Sequence, residues 1–98
     1  MLDKLKYEEY AAQSGTNFRL AENDFDLELV EVTERKITTQ QEMFSLIFRG
    51  AQDNFLQQKI YRISHASLGD GELFLVPIGL EADGYRYEAG FNRLLKTE

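Results

Sequence analysis

The chain has 98 residues, 43% of them hydrophobic, which suits one compact domain spanning residues 1–98. Its 17 acidic side chains outnumber the 11 basic ones, so the net charge is −6. Proteins that bind nucleic acids or anionic membranes usually present a basic surface, so we expect neither partner for this acidic protein. The sequence contains no cysteine, which excludes disulfides and cysteine-based metal sites.

The N-terminal residues do not have the pattern of a targeting segment. Residues 1–6 are followed by no apolar run of the kind found in secretory signals. No stretch reaches the roughly 18 consecutive apolar residues of a membrane span. Together with the absence of cysteine, this pattern predicts a cytoplasmic protein.

Residues 3–14 predict a short N-terminal helix. Apolar side chains recur there at helical spacing, as at Tyr7 and Tyr10. Asp3 could cap the start of this helix, and Gly15 stands where a residue in the left-handed conformation would end it.

From residue 16 to residue 93 the pattern indicates β-strands. Apolar and polar side chains alternate along 16–20 and again along 25–29. The apolar parity then switches between Leu29 and Val30, which predicts either a β-bulge or the end of a strand. The polar segment 34–42 is predicted to be a loop.

Further strands are predicted in four segments, at residues 43–48, 58–66, 73–78 and 85–91. Asp70-Gly71 and Asp83-Gly84 each predict a two-residue hairpin turn, because both positions of such a turn can take a positive φ. The last three strands should therefore form an antiparallel meander. About six short strands after one helix predict an α+β domain, built as a small antiparallel β-barrel or rolled sheet.

Two of the predicted strands, 43–48 and 73–78, carry apolar side chains on both faces. One face can line the barrel interior, but the other needs cover from the N-terminal helix, a loop or another subunit. Pro77 belongs at an edge, a bulge or a strand end, because it cannot donate a ladder hydrogen bond. If another subunit or protein covers the second apolar face, the predicted contact residues are Met43, Ile47, Phe74, Val76 and Ile78.

Acidic side chains occupy every second position at Glu22, Asp24, Asp26 and Glu28. On a strand they would project from one face, where they could bind a cation or dock a basic partner. An EF-hand loop is excluded, because a loop starting at Asp24 would lack the required glycine and the final glutamate. We favour a solvated strand face whose like charges discourage edge pairing.

His65 is the only histidine, so a histidine-based catalytic site would have to form around it. Asp70, Glu72 or Glu88 could then be its acidic partner. The adjacent Ser64 would point to the opposite face of a strand. We favour a half-buried, hydrogen-bonded strand histidine, and we expect no catalytic residue, no cofactor and no metal.

Tyr85 and Tyr87 share one face of their predicted strand, and Tyr61 could lie on a neighbouring strand. Packing in the core is the favoured interpretation of such an aromatic cluster. The alternative is a small barrel that binds an apolar or aromatic ligand through Tyr61, Tyr85 and Tyr87, with His65 as a further candidate ligand-binding residue.

Segments along nearly the whole chain carry a resemblance: LKYEEY (5–10), GTNF (15–18), FSLIFRG (44–50), YRISH (61–65), FLVPIG (74–79) and YEAGFN (87–92). They are similar to a bacterial family known only as a domain of unknown function. The resemblance implies a compact, mostly β domain that accompanies tail-collar-like proteins of phage origin. It supplies no catalytic residues.

The function expected from the sequence is therefore a non-enzymatic protein-interaction or assembly module of phage-tail-related origin. Its partner would be another protein or a second copy of the chain. The alternatives are the ligand-binding barrel and, less favoured, an enzyme centred on His65.

Overall fold

The computed structural model describes residues 1–22 and 25–95. Its elements are a 3₁₀ helix (Leu2–Lys4), α1 (Tyr7–Ala11), β1 (Asn17–Leu20), β2 (Phe25–Val32), β3 (Lys36–Ile37), β4 (Gln41–Gly50), β5 (Lys59–His65), β6 (Gly69–Glu81) and β7 (Gly84–Leu94). No helix in this described part is long and apolar enough to span a membrane.

The strands form one antiparallel sheet that closes into a six-stranded barrel. Around the barrel the order is β1, β2, β4, β7, β6 and β5, and β5 pairs again with β1. The two-residue β3 is an additional strand that pairs with one end of β4. The predicted fold class, an α+β domain dominated by a small antiparallel barrel, is confirmed.

The barrel interior is filled by side chains from all six barrel strands and from the N-terminal residues. Phe18, Phe48 and Tyr87 are among the largest side chains with no exposed surface. Phe18 and Phe48 pack edge to face, with ring centroids 5.2 Å apart. The alternating parity seen in the sequence thus identifies the inward face of most strands.

β2 changes neighbour along its length, and a bulge accompanies the change. Its first half pairs with β1 and its second half with β4. The register shifts between Leu29 and Glu31, so Val30 is the extra residue. Leu29 and Val32 can both contact the core as a result. The predicted bulge is confirmed.

β6 also changes neighbour. Residues 69–75 pair with β5, whereas residues 76–81 pair with β7. A second bulge lies between Pro77 and Gly79, where a proline is tolerated because the ladder is interrupted. The predicted antiparallel meander of β5, β6 and β7 and the placement of Pro77 at an irregularity are confirmed.

The hairpin turn predicted at Asp70-Gly71 is wrong, since both residues lie inside β6. The chain reverses earlier, at residues 66–68, and Gly69 follows with φ +85°. His65 determines this position, because its ring Nδ1 accepts backbone hydrogen bonds from Ser67 (2.9 Å) and Leu68 (3.2 Å).

The second predicted hairpin is present one residue earlier than expected. Ala82 and Asp83 form the loop, and Glu81 pairs with Gly84 across it. Gly84 has φ +133°, and a Cβ added there would collide with the carbonyl oxygen of Gly50. Glycine is needed at this turn for both its conformation and its lack of a side chain.

The helix predicted over residues 3–14 is wrong in extent. Asp3 lies within the 3₁₀ helix and caps nothing, and the extended backbone of Leu5 and Lys6 separates the 3₁₀ helix from the five-residue α1. Gly15 has the expected left-handed φ of +88°, but it does not end the helix, because α1 already ends at Ala11 and Gly15 is the last residue of the turn that follows.

The segment predicted as a loop, residues 34–42, is only partly one. It contains β3, and β4 already begins at Gln41. β4 is therefore longer than the predicted strand 43–48, because its early residues pair with both β3 and β7.

The N-terminal residues 1–11 cover one end of the barrel. Leu2 and Tyr10 are completely buried there, and the Tyr10 hydroxyl donates to the Leu2 carbonyl at 2.5 Å. Arg93 donates to the Leu5 carbonyl at 2.6 Å and so ties this segment to β7. The segment completes the core and leaves outer-face side chains such as Phe74 exposed.

A paired charge cluster lies at the same end of the barrel. The Glu42 carboxylate is almost buried, 2.8 Å from Arg35 Nε and 3.8 Å from Arg93 Nη1. Arg35 also bonds Glu8 of α1 at 2.9 Å. Because a buried carboxylate requires compensating charge, the two arginines make this position tolerable for Glu42.

We expect Gly71→Ala to destabilise the protein, because a Cβ there would lie 2.8–2.9 Å from atoms of Leu2 and Asp3. The loss should be about 1–3 kcal/mol in the free energy of unfolding, measured by urea denaturation. Gly79→Ala is the matched control, since a Cβ at this other β6 position meets no atom within 4 Å. Equal stability of the two variants would contradict the packing of the N-terminal segment against β6.

Candidate interaction surface

The outer face of β5 and β6 carries exposed apolar side chains. Ile60 is 59% exposed, Phe74 49% and Ile78 51%. Ile60 and Phe74 are cross-strand partners, and the half-buried Val76 follows Phe74 on the same face. We call Ile60, Phe74, Val76 and Ile78 the apolar strip.

Ile47 of β4 extends this apolar surface around the barrel. Glu88 of β7 is the register partner of both Ile47 and Val76, so only one strand separates the two apolar residues. Ile47 and Ile78 also line one shallow groove on the outer surface. The structure therefore brings together contact residues that were predicted from two separate strands.

A second feature, which we call the Ser45–Gly90 groove, lies beside Glu88. Ser45 and Gly90 are cross-strand partners on β4 and β7, and their small size leaves a depression of about 580 Å³. Its lining residues are Thr33, Glu34, Lys36, Met43, Phe44, Ser45, Glu88, Gly90, Phe91 and Asn92. Met43, predicted as a contact residue, is therefore part of this groove.

Unpaired carboxylates surround the apolar strip. Asp70 and Glu72 continue the outer face of β6, and Glu88 faces Val76 from β7. Within the described ranges, none of these three forms an ion pair. Arg62 faces Glu72 across the strands, so the surroundings of the strip are mixed in sign but predominantly acidic.

The acidic residues at 22–28 do not form the single charged strand face that was expected. β2 begins at Phe25, so Glu22 lies in the preceding turn, and Asp24 lies outside the described residues. Glu22 pairs with Lys59 at 3.0 Å, and Asp26 pairs with Arg19 at 3.0 Å.

Glu28 pairs with Arg49 on the neighbouring β4, which raises the pKa of the guanidinium. The Glu22 carboxylate also accepts the Arg62 backbone N–H, and this bond and the Lys59 ammonium lower the pKa of Glu22. Each described carboxylate thus has its own cationic partner, and the run is not an open docking strip. In residues 1–22 and 25–95 no three potential ligands cluster as a metal site would require.

His65 is 8% exposed and uses both ring nitrogens. Nδ1 accepts the two backbone bonds of the 66–68 turn, so Nε2 carries the proton and donates to the Thr16 hydroxyl at 2.9 Å. Thr16 in turn donates to the Gln13 carbonyl at 2.6 Å. The side chain joins the β5–β6 turn to the start of β1, as a structural histidine does.

The tyrosines that were candidate ligand-binding residues lie largely within the core. Tyr61 and Tyr87 are almost fully buried, whereas Tyr85 is half-buried. The Tyr61 hydroxyl donates to the Gln57 carbonyl at 2.6 Å, and the Tyr87 hydroxyl accepts the Leu56 N–H at 2.9 Å. Their hydroxyls thus hold the 51–58 segment against the barrel.

Sequence reasoning missed Ile60 and the Ser45–Gly90 groove. Ile60 lies in a predicted strand, but its exposure becomes evident only when its pairing with Phe74 is known. The groove depends on two small residues, 45 positions apart, being placed opposite each other. No local pattern signals such a pair, because the register of β4 and β7 creates it.

The fold and its outer surface define a small, closed antiparallel β-barrel domain with a filled interior. The chain belongs to the family described as Domain of unknown function (DUF6916), whose profile matches residues 5–91. This agrees with the resemblance noted in the sequence. No curated protein and no solved structure shows significant similarity to the chain. The bacterial and phage-related setting stays a prediction.

We expect acid to weaken the fold through His65, because burial lowers the pKa of its ring below the ordinary 6.5. The His65 ring then binds a proton near pH 6.5 in the unfolded chain but only at lower pH in the folded protein. The contribution of the neutral ring to the free energy of unfolding is therefore complete above pH 6.5 and declines below it. Urea denaturation between about pH 7.5 and pH 5.5 should show a slope of at most about 1.4 kcal/mol per pH unit.

His65→Gln should remove the part of this slope that belongs to the ring, since the sequence has no other histidine. A titration of the His65 ring by NMR provides an independent measurement in the wild type. A ring pKa at or above 6.5, or an unchanged slope in the variant, would contradict the buried neutral histidine.

Proposed function

We propose that this domain is a non-enzymatic interaction module that docks a protein partner through the apolar strip. The observation that carries the proposal is the exposure of Ile60, Phe74 and Ile78 on one outer face while the barrel interior is already filled. Contiguous exposed apolar surface of this kind marks contact sites on many proteins. Aromatic anchors such as Phe74 are typical of the centre of such contacts.

The strip favours docking through side chains over the addition of a strand. β6 has no strand partner on its β5 side beyond Leu75 in the described structure, so residues 76–81 present a free edge. However, Pro77 and the bulge at Ile78 interrupt this edge, and both features protect edges against strand pairing. A partner would therefore contact the face of the strip.

The interior and the histidine support this function over the two alternatives. A ligand-binding barrel would need Tyr61 and Tyr87 to face an open cavity, but they pack in the core. An enzyme centred on His65 would need a ring nitrogen able to take a proton from a substrate or a nucleophile, but Nδ1 already accepts backbone N–H groups and Nε2 donates its own proton to the Thr16 hydroxyl. A role in a phage-related assembly, and a cytoplasmic location, have support only from the sequence.

A photo-crosslinking amino acid placed at Phe74 should capture a partner in cells that naturally make the protein. The same group at Ala12 is the control, because Ala12 is also exposed but lies in the turn after α1, outside the strip and the Ser45–Gly90 groove. We expect one product of defined mass at position 74, lost when Ile60→Ser and Ile78→Ser are added. No product at 74, or the same products at 12, would overturn the proposal.

A further inference from the structure

We propose that the Ser45–Gly90 groove receives a large apolar side chain of the partner, and that Glu88 binds a lysine or arginine next to it. This inference rests on the proposed function and identifies the chemistry of the partner. The partner would be a basic protein segment, with its apolar anchor seated where the Ser45–Gly90 pair leaves space.

The groove and the apolar strip form one continuous surface. Glu88 lines the groove and is also the register partner of Val76 in the strip. Gly90 follows two residues later on the same outer face of β7. A partner that covers the strip therefore reaches the groove across Glu88, and the two features belong to one contact.

The shape of the groove suits an apolar side chain. Most of the surface that lines it is apolar, and Met43 lies on the outward-facing side of β4. A Cβ on Gly90 would make only an ordinary contact, 3.8 Å from the Ser45 hydroxyl. Because an anchor that fills such a depression removes apolar surface from water on both partners, it is a typical source of binding energy.

The charges around the groove and the strip favour a basic partner. Glu34 and Glu88 border the groove, against one ammonium from Lys36. Asp70 and Glu72 add negative charge beside the strip, against Arg62, and the whole chain carries a net charge of −6. A basic segment would be attracted at a distance and could pair with Glu88 on contact.

The same charges disfavour a second copy of this chain. A symmetric dimer would place the same face of each copy opposite itself, since a twofold interface uses one patch twice. The carboxylates of Glu72 and Glu88 from both copies would then lie in one interface. Such like-charge contacts oppose association, so a different, basic protein is the occupant that we infer.

The probe for this proposal is the blocked tripeptide acetyl-Lys-Phe-Lys-amide, added to the ¹⁵N-labelled full chain at low salt. We expect the peptide to change the backbone amide chemical shifts of the protein mainly at residues 43–45 and 88–92. Two control peptides separate the contribution of the positive charge from that of the apolar side chain. Glu-Phe-Glu keeps the phenylalanine but reverses the charge, whereas Lys-Ser-Lys keeps the charge but removes the phenylalanine. Both should bind at least about fivefold more weakly, the effect of losing roughly 1 kcal/mol.

Two variants test the site itself. Gly90→Leu should fill the groove and abolish the shift changes, whereas Gln52→Leu, which adds the same side chain at an exposed position of the 51–58 segment, should leave them intact. Glu88→Gln should weaken binding about fivefold and reduce its salt dependence, unlike Asp53→Asn at an exposed position of the 51–58 segment. Thermal unfolding of each variant shows whether the fold is retained.

Equal binding of the acidic peptide, or unchanged binding by folded Gly90→Leu, would overturn the groove proposal. Shift changes at the same residues on simple concentration of the free protein would identify a second copy as the occupant and would also overturn it. If crosslinking at Phe74 succeeds while the tripeptide does not bind, the interaction module stands and only the inferred chemistry of its partner fails.

Discussion

β2 pairs with two different strands, and the barrel depends on this change of neighbour. Its first residues pair with β1 and its later residues with β4, and the extra residue Val30 lies between the two pairings. Without that residue, the inward side chains of one half of β2 would face solvent, because side-chain direction alternates along a strand. With it, Leu29 and Val32 both contact the core, and the sheet closes on itself.

Much of this fold could be predicted because it depends on a local constraint, the alternation of side-chain direction along each strand. Alternation identified the strands, and the switch of parity after Leu29 located the bulge. The errors arose where a distant contact overrides a local preference. Asp70-Gly71 is a good turn sequence, but the ring of His65 binds the backbone of the preceding residues and places the turn there. Likewise, burial of Leu2 and Tyr10 at the barrel end divides the expected helix in two.

The candidate surface was predictable only in part. The sequence shows that 73–78 is apolar on both faces, and one of those faces does remain outside. The register between neighbouring strands decides which other side chains lie next to this exposed face. Glu88 lies between Ile47 and Val76 because β7 is between β4 and β6, and Gly90 faces Ser45 for the same reason. Pairing between strands that are distant in sequence cannot be read from either strand alone.

The bond from Arg93 to the Leu5 carbonyl joins residues 88 positions apart, and β1 closes the barrel on β5 rather than on a sequence neighbour. Contacts of such separation form slowly, because the intervening chain must first be ordered. During synthesis β1 and β2 can pair with each other, but they leave the ribosome before β4 and β5 exist, so their apolar faces stay uncovered until then. The domain can complete its fold only once β7 has emerged, so its beginning and its end become stable together.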